Sequence, residues 1–373
     1  MMYDYLIVGA GLTGAVCARE LTKLGKKVIV IDKRNHIAGN CYTENLGGIN
    51  VHKYGPHIFH TNNKKIWDYV NQFDDFNGYI HKVKVNYRGE IYTLPINLST
   101  FSEFFGGDIN PENMRETFEL FTSSARNKDL ADNLESYILT KIPKSMYDAL
   151  IKGYTEKQWA KPAKELPSSI IRRIPIRYTF DDRYWDDDYQ GIPKRGYTYI
   201  VDRMLDGVEV ILNQDFISDI SYYLNLAYKV IYTGCIDEFF NYDLGKLEYR
   251  SLKFVEEKLD VDNFQGIAQM NFTEKDIPYT RIIEHKHFTP NNKTGYTIIT
   301  YEYPDDFDKT NEPYYPVRDD ANTKLYNGYS SLAKKYFPNL IFCGRLGSYQ
   351  YYDMHQVIGQ ALQIVEQEKN ENS

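Results

Sequence analysis

The stretch YDYLIVGAGLTGAVCARELTKLGKKVIVIDKR, residues 3–34, decides the fold of this chain. An apolar run leads into Gly9-x-Gly11-x-x-Gly14, a helical pattern of apolar residues follows, and a second apolar run ends at Asp32. Glycines at this spacing permit a tight turn and close backbone approach, and the helix N-terminus behind them favours a pyrophosphate. The acid that ends the second strand suits a ribose hydroxyl. The stretch predicts a βαβ unit that binds a dinucleotide; a glycine-rich turn that serves packing alone is the alternative.

Composition limits what the rest of the chain can be. The chain has 373 residues, of which 42% are hydrophobic and 25% charged, as in an ordinary folded protein. The net charge of -7 argues against a nucleic-acid partner, and no uninterrupted apolar run approaches the ~18 residues of a membrane span. We therefore expect a cytoplasmic protein without membrane insertion. Four scattered cysteines without a CxxC pair argue against a zinc ribbon or a disulfide framework.

Later segments extend the dinucleotide signal to a flavin fold. Residues 34–40 carry Arg-x-x-x-Ala-Gly-Asn after the second strand, a predicted strand at 229–234 ends in Thr-Gly, and another at 340–344 leads toward the C-terminal helix. This three-part pattern is typical of the large FAD-binding fold. Asp353 and Gln356 predict a capping box for the last helix, whose positive end then faces an electron-rich or anionic group.

The segments that carry the flavin pattern are separated by helical and strand-like sequence. We therefore predict an α/β fold in which a Rossmann-like FAD-binding lobe is interrupted by a helical lobe and an antiparallel β-sheet lobe. The predicted boundaries are 1–79, 194–245 and 318–373 for the FAD-binding lobe, 100–165 for the helical lobe, and 80–99, 166–193 and 246–317 for the sheet lobe.

Seven further segments, spread over essentially the whole chain, carry a resemblance to a known family. They are KYGPHIFHT (53–61), KGYTEKQWAKP (152–162), IRRIPIRYTFDDRYW (171–185), QGIPKRGYT (190–198), MNFTEKDIPYTRIIEHKHF (270–288), EPYYPV (312–317) and GRLGSYQYYDMHQV (344–357). In this order they resemble bacterial UDP-galactopyranose mutase. Two positions depart from the family pattern, which usually has glycine in place of Ala38 and often asparagine in place of His81.

The resemblance implies a flavin-dependent isomerase that interconverts UDP-galactopyranose and UDP-galactofuranose without net redox change. In that family only reduced FAD is active, and its N5 attacks the anomeric carbon and displaces UDP. An external electron donor and a homodimer are implied as well. The absence of a strong protein nucleophile or acid–base motif in the sequence agrees with chemistry carried by a cofactor.

The resemblance also implies roles for single residues. The catalytic residues it implies are Arg173 and Arg281, which neutralise the diphosphate, and His57, which lies against the flavin. The substrate-binding residues it implies are His81, Tyr154, Trp159, Arg173, Tyr184, Asn271, Arg281, Tyr315 and Tyr351. A mobile lid is implied near 165–177. For any one of these arginines or tyrosines taken alone, a solvated or packing role is the alternative.

The cofactor-binding residues come from the glycine motif and from the resemblance together. They are Gly9, Gly11, Leu12, Thr13, Gly14, Asp32, Lys33, Gly39, Asn40, His57, Ile58, Phe216, Ile217, Arg345, Asp353, Met354 and Gln356.

Histidines and acids raise the question of a metal, and we predict none. His57 and His60 lie three residues apart without an evident third ligand, a pattern that is more often structural. His285 and His287 alternate as if on one strand face, where a polar network is the expected role. The aspartates of DDRYWDDDY, residues 181–189, could indicate a magnesium-dependent sugar-nucleotide transferase, but a solvated acidic turn is preferred.

Two rival functions share the predicted fold. A flavin oxidoreductase with two dinucleotides requires a second GxGxxG for NAD(P)H, and the sequence has none. A flavin-free binding module, as in Rab-escort-like proteins, would purify without colour. A visible spectrum therefore separates the second rival from both flavin-dependent functions.

Overall fold

The computed structural model describes residues 2–107, 110–122, 133–172, 174–308 and 310–371. The strands in these ranges are, in chain order, β1 (Tyr3–Val8), β2 (Val28–Ile31), β3 (Thr43–Leu46), β4 (Ile49–His52), β5 (Phe59–Thr61), β6 (Val83–Tyr87), β7 (Glu90–Leu94), β8 (Tyr189–Gly191), β9 (Glu209–Ile211), β10 (Ala227–Tyr232), β11 (Tyr249–Leu259), β12 (Gln269–Phe272), β13 (Arg281–Glu284), β14 (Thr297–Asp306), β15 (Tyr315–Pro316) and β16 (Leu340–Phe342).

The helices lie mostly between the strands of the first half and at the C-terminus. In chain order they are α1 (Leu12–Lys23), α2 (Lys64–Val70), α3 (Leu98–Phe105), α4 (Pro111–Thr122), α5 (Leu134–Leu139), α6 (Lys144–Tyr147), α7 (Gly153–Trp159), α8 (Ser169–Arg172), α9 (Tyr197–Met204), α10 (Ile220–Leu224), α11 (Ile236–Phe239), α12 (Asp320–Tyr336), α13 (Gly344–Gly347) and α14 (Met354–Glu371). Within the described ranges, no helix combines the length and apolar character needed to cross a lipid bilayer.

A five-stranded parallel sheet forms the centre of the first lobe. Its strand order is β16-β10-β1-β2-β9, and each neighbouring pair is parallel. Tyr5 and Ile7 of β1 pack in one core with Ala15 of α1, whereas Leu6 packs on the opposite face with Phe216. Because successive side chains of a strand point to opposite faces, both faces of this sheet are covered. The predicted βαβ unit and the α/β class are confirmed.

A second sheet has seven strands in the order β15-β11-β14-β13-β12-β6-β7. Its pairs are antiparallel except β12 with β6, which run parallel. The two long strands β11 and β14 pair from Arg250 opposite Asp306 to Leu259 opposite Thr297. The sheet carries Asn271 and Arg281 on β12 and β13, directly opposite each other.

Helices α3 to α8 pack against one end of the second sheet. Val83 and Val85 of β6 are fully buried in a core that includes Phe101 of α3, Met114 of α4 and Leu134 of α5. Strands β6 and β7 and these helices therefore share one apolar core, which fixes the position of α7 beside the sheet.

The structure differs from the prediction in two segments. The described residues of the segment 166–193 contribute no strand to the seven-stranded sheet; the strand that they do form, β8, pairs antiparallel with β5. The preceding part, 175–188, contains a proline and five aspartates, residue types that are depleted in strands. His285–Phe288 forms a 3-10 helix rather than a strand, because His285 turns inward to a buried partner.

Candidate active site

Glycines shape the loop between β1 and α1. A Cβ on Gly9, which has φ +108°, would lie 2.0 Å from Thr233 Oγ1, and one on Gly14 would lie 1.9 Å from the Gly9 carbonyl oxygen. At Gly11 the nearest atom to such a Cβ is 3.8 Å away, the Cα of Gly39. Two of the three glycines thus allow close packing, whereas a Cβ on Gly11, beside the N-terminus of α1, would make an ordinary van der Waals contact with Gly39.

Asp32 directly follows β2, and its side chain is held in a fixed position. Its side chain is buried, Oδ2 accepts a hydrogen bond from the backbone N–H of Ala10 at 2.7 Å, and Oδ1 accepts one from that of Arg34 at 2.9 Å. Two backbone donors hold the carboxylate, and each oxygen retains a lone pair. The geometry suits acceptance from a ribose hydroxyl.

A cleft runs from this loop along the first lobe, and we call it the dinucleotide cleft. Fifteen of the predicted cofactor residues line it: Gly9, Gly11, Leu12, Thr13, Gly14, Asp32, Lys33, Gly39, Asn40, His57, Phe216, Ile217, Arg345, Asp353 and Met354. Ile58 lines the neighbouring cavity instead. Gln356 lines neither, because its Oε1 accepts from the backbone N–H of Asp353 at 2.8 Å. That bond is one half of the predicted capping box.

Two cations of the dinucleotide cleft, Arg34 and Lys33, are anchored by Glu312. Arg34 Nη2 lies 3.0 Å and Lys33 Nζ 3.5 Å from Glu312 Oε2. Burial favours the neutral form of Arg34, but the Glu312 carboxylate outweighs it and raises the Arg34 pKa. The guanidinium lies 4.6 Å from the Tyr54 ring centroid, and its buried Nη1 has no partner among the described residues. A donor is therefore available to an anion in the cleft.

Ala38, one of the two departures from the family pattern, adopts a left-handed backbone conformation. Its φ is 73° and ψ is -2°, and its side chain is buried. A residue with a Cβ is strained in this region, in which glycine is not. The glycine that the family usually has at this position therefore matches the backbone geometry that the chain adopts here.

A second cavity opens from the same cleft toward the seven-stranded sheet, and we call it the substrate cavity. Eight predicted substrate residues line it: His81, Tyr154, Trp159, Tyr184, Asn271, Arg281, Tyr315 and Tyr351. Arg173 lies outside the described residues, while its neighbours Ile171 and Ile174 line the cavity. The residues that line both spaces are Asn40, His57, Arg345, Asp353 and Met354. The two spaces therefore meet.

Arg281 is one of the cations that line the substrate cavity, and Glu302 of β14 holds it. Arg281 Nη2 donates to Glu302 Oε2 at 2.7 Å; the Glu302 side chain is 0% exposed and that of Arg281 16%. Burial lowers the Arg281 pKa, yet the Glu302 charge outweighs this effect and leaves the pKa above its ordinary value. Arg281 Nε and Glu302 Oε1 are buried without a partner in the described part of the chain. One N–H of the guanidinium thus remains for a ligand.

Aromatic rings form one wall of the substrate cavity. The rings of Tyr315 and Tyr351 stack at 5.2 Å with an interplanar angle of 24°, and Trp159 lies 6.3 and 6.4 Å from them. The Arg345 guanidinium lies 5.9 and 5.5 Å from the two tyrosine rings. Flat faces and hydroxyl groups on one wall suit a ligand with both a ring and oxygen acceptors.

His57, which is partly buried, is linked to two buried histidines, His52 and His285. Its backbone N–H donates to His52 Nδ1 at 3.0 Å, and the His52 N–H in turn approaches His285 Nδ1 at 3.3 Å. Because each Nδ1 accepts, the ring proton of His52 and of His285 is on Nε2, and His285 donates to Thr300 Oγ1 at 2.8 Å. The polar network predicted for His285 is present, although on a 3-10 helix.

The tautomer of His57 follows from its own partner. His57 Nδ1 lies 2.8 Å from the Gly55 carbonyl oxygen, so Nδ1 carries the proton and Nε2 is an acceptor. Burial lowers the pKa of His57 to about 4, despite the bond to Gly55. The ring is therefore neutral at pH 7. It lies where the two cavities meet.

His81, the other departure from the family pattern, is also a neutral ring. Burial and, next, the Arg281 charge lower its pKa to about 3. It packs edge-on against Tyr184 at 5.4 Å and lies 5.2 Å from the Trp185 ring. Its position in the cavity wall makes it a candidate contact for the ligand.

The acidic segment 181–189 is occupied by ion pairs. Asp181 pairs with Arg183 at 2.7 Å, Asp186 with Arg177 at 2.6 Å, and Asp182 with Lys82 at 2.9 Å. The sequence predicted a solvated turn, and the structure adds cationic partners to it.

Comparison with known proteins bears on the family. A family model described as UDP-galactopyranose mutase matches residues 149–351, and one described as an NAD(P)-binding Rossmann-like domain matches residues 7–73. The chain is 38% identical over 370 residues to a probable UDP-galactopyranose mutase of Klebsiella pneumoniae, with 98% of this chain and 94% of the relative covered. The chain belongs to the UDP-galactopyranose mutase family.

Further relatives of the chain are named for two different nucleotide sugars, dTDP-fucopyranose and UDP-galactopyranose. The chain is 36% identical over 375 residues to the dTDP-fucopyranose mutase of Escherichia coli, with 98% of each covered, and 34% identical to the UDP-galactopyranose mutase of Mycoplasma genitalium, with 95% and 92% covered. A crystal structure of a reduced UDP-galactopyranose mutase shares the fold, with a TM-score of 0.76 at 14% identity over 98% of this chain and 93% of that one.

Membership in the UDP-galactopyranose mutase family makes the chain an enzyme, a flavin-dependent isomerase, as predicted. It disfavours the oxidoreductase and the flavin-free module. The predicted site residues remain predictions, but the described ones, apart from Gln356, line one connected space. Sequence reasoning missed Glu302, which anchors Arg281, and His52, whose ring accepts a hydrogen bond from the backbone of His57.

Proposed function

We propose that the chain interconverts UDP-galactopyranose and UDP-galactofuranose with FAD in its reduced form. The supporting observation is the junction of the dinucleotide cleft with the substrate cavity, where His57, Arg345 and Asp353 line both spaces. A cofactor and a nucleotide sugar bound in the two spaces would meet at these residues. An external electron donor, a homodimer and a cytoplasmic location belong to the same proposal.

The dinucleotide cleft fits FAD. Gly11 lines the cleft at the N-terminus of α1, a position that suits a diphosphate, Asp32 is held by two backbone donors for a ribose, and the buried Nη1 of Arg34 lacks a partner in the described structure. Reduced FAD supplies, when bound, the nucleophilic nitrogen that exchanges with UDP at the anomeric carbon.

Arg281 would bind the diphosphate of the sugar nucleotide. Its guanidinium is fixed from one side by Glu302, which leaves Nε–H for a phosphate oxygen. Negative charge on the diphosphate increases as UDP leaves, so a fixed buried cation stabilises that stage more than the ground state. Arg173 is proposed as the second cation, carried by a lid near 165–177 that closes over the nucleotide.

Tyrosine hydroxyls would donate further hydrogen bonds to the phosphates. Burial raises the pKa of Tyr154 and of Tyr315 well above that of an exposed tyrosine. Both hydroxyls therefore stay protonated across the working pH range and act as donors. Trp159 and the stacked pair of Tyr315 and Tyr351 provide flat surfaces for the uridine and the sugar.

His57 would position and tune the cofactor rather than transfer a proton as a charged acid. Its ring is neutral, with the proton on Nδ1 held by Gly55, so Nε2 presents a lone pair. A neutral acceptor can hold an N–H of a reduced ring system without adding positive charge. The backbone bond to His52 keeps the loop that carries it in place.

A second candidate substrate is dTDP-fucopyranose, because the E. coli relative at 36% identity acts on a dTDP sugar by its name. The two substrates differ at the 6-hydroxyl of the sugar, at the 2′-hydroxyl of the ribose and at the methyl group of the base. His81, buried beside Tyr184 and near the charge of Arg281, is one of the two residues at which this chain departs from the family pattern, and it is the one that lines the substrate cavity. A contact between His81 and the sugar would therefore affect which of the two nucleotide sugars the enzyme prefers.

The test is turnover of both substrates by the same preparation. Dithionite-reduced protein, incubated without oxygen with UDP-galactofuranose or with dTDP-fucofuranose, is assayed by chromatography for the pyranose form. We expect UDP-galactopyranose to form faster, and no product from oxidised enzyme. Faster conversion of the dTDP sugar would show that this sugar, and not the UDP sugar, is the preferred substrate. If the protein converts neither sugar, the proposal is rejected.

A further inference from the structure

Three metal-ligating side chains come together beside the substrate cavity, which two of them, His60 and Asp353, line. His60 on β5 and Asp353 and His355 at the start of α14 each offer one ligand atom, and these atoms all lie within 4.8 Å of one another. No third ligand was evident near His60 in the sequence, because Asp353 and His355 lie far from it along the chain. The fold brings them to one place.

His60 is held as metal-binding histidines usually are. One ring nitrogen, Nδ1, is bound to a carboxylate oxygen of Asp187, and the ring stacks on Trp185 at 3.9 Å with an interplanar angle of 7°. A carboxylate behind the ring fixes the proton on Nδ1 and leaves Nε2 as the ligand atom. The side chain is only 9% exposed, so its orientation is determined by packing.

His355 supplies an independent sign of an open coordination position. Its Nδ1 is buried and has no hydrogen-bond partner in the described part of the chain. The His355 ring lies 5.4 Å from that of His60 and at 70° to it. Buried polar atoms are normally satisfied, so an unpartnered imidazole nitrogen beside a second imidazole and a carboxylate calls for a ligand.

We propose that His60, Asp353 and His355 bind a divalent transition-metal ion, with Zn²⁺ as the preferred class. Two imidazoles and one carboxylate suit Zn²⁺ and its neighbours, whereas Mg²⁺ and Ca²⁺ prefer oxygen ligands. Bond lengths of about 2.0–2.2 Å require the ligand atoms to move somewhat closer, which side-chain rotation at the start of α14 can provide. Open positions would remain for water or a substrate oxygen.

The test measures metal binding and does not depend on the proposed isomerase activity. Untagged full-length protein with its flavin bound is stripped with a chelator and dialysed against graded Zn²⁺, and bound metal is measured by mass spectrometry. Wild type is expected to retain one equivalent. His355→Gln is expected to bind at least about tenfold more weakly, and Asp187→Asn about tenfold more weakly through the loss of the carboxylate behind His60.

The matched control is His287→Gln, which removes a partly exposed histidine that contacts Glu284 and Asn263 instead. This variant should bind Zn²⁺ as wild type does. The proposal is overturned if wild type retains no equivalent, or if His355→Gln binds as tightly as His287→Gln. Melting temperatures of all variants show that differences in metal content do not come from unfolding.

Discussion

Glu302→Gln is the most informative single substitution, because it removes a charge and keeps the shape of the side chain. Glu302 is completely buried, and its Oε2 accepts from Arg281 Nη2 at 2.7 Å. The glutamine amide can still accept one hydrogen bond from the guanidinium. The Arg281 charge, however, is then buried without a counter-charge.

The expected loss of stability follows from that geometry. Breaking a buried ion pair by removing one partner costs about 3–5 kcal/mol, and the retained hydrogen bond places this variant near ~3 kcal/mol. Glu256→Gln is the matched control: it breaks a pair with Lys53 at 2.6 Å whose side chains are 32% and 30% exposed. Such half-exposed pairs contribute at most about 1 kcal/mol.

Urea unfolding of the flavin-loaded protein, followed by fluorescence, measures both variants. We expect a lower midpoint for Glu302→Gln than for Glu256→Gln. Saturating UDP should restore more stability to Glu302→Gln than to wild type, because the diphosphate supplies the missing negative charge to Arg281. Equal losses in the two variants would refute the account of Arg281 and Glu302, and equal restoration by UDP would remove Arg281 from the diphosphate site.

Four further predictions concern the same site. Arg281→Ala should lower turnover by about 10²-fold with flavin still bound, since the lost contact is worth roughly 3 kcal/mol, and Arg281→Lys should recover little; steady-state kinetics at wild-type level would contradict this. Ala38→Gly should stabilise by up to about 1 kcal/mol in urea unfolding, because φ of 73° is strained for alanine; destabilisation would contradict it. Burial holds the pKa of His57 near 4 and that of His285 near 3, below the ordinary value of 6.5. Between these values the unfolded chain binds more protons than the folded one, so the free energy of unfolding decreases as the pH is lowered from about 6.5 to 4. Each such histidine contributes a slope of up to about 1.4 kcal/mol per pH unit, and urea midpoints unchanged between pH 7 and pH 5 would argue against neutral burial. UDP should protect residues 165–177 from hydrogen exchange, and equal exchange with and without UDP would indicate a static segment.

The parts of the fold that could be predicted are those set by local chemistry. Strand, glycine turn, helix and acidic strand end follow each other within residues 3–34, and each carries its own steric or electrostatic signal. Gly9 and Gly14 are required by contacts to neighbours in the first lobe, so their spacing predicts the geometry directly. The family resemblance supplied the remaining site residues, which composition and spacing could not.

The parts that could not be predicted depend on partners distant in the sequence. Glu302 directly follows the strand-like run 296–301, and only the pairing of β13 with β14 brings it opposite Arg281. An acid in an otherwise apolar strand pattern was the one available signal. The alternation in His285–Phe288 resembled a strand, yet the contact of His285 with His52 favours a 3-10 turn that no local pattern reveals.

The parallel pairing of β10 between β1 and β16 has a consequence for biosynthesis. Tyr3 pairs with Ala227, and Val230 pairs with Leu340, so the central sheet is assembled from the beginning, middle and end of the chain. Non-local pairs of this kind form late, since their loop-closure entropy must be met before the contacts stabilise anything. While the ribosome is still adding the last residues, β10 has an unpaired edge and apolar faces that other nascent chains can bind. A chaperone that holds this intermediate until β16 emerges should therefore raise the yield of soluble protein.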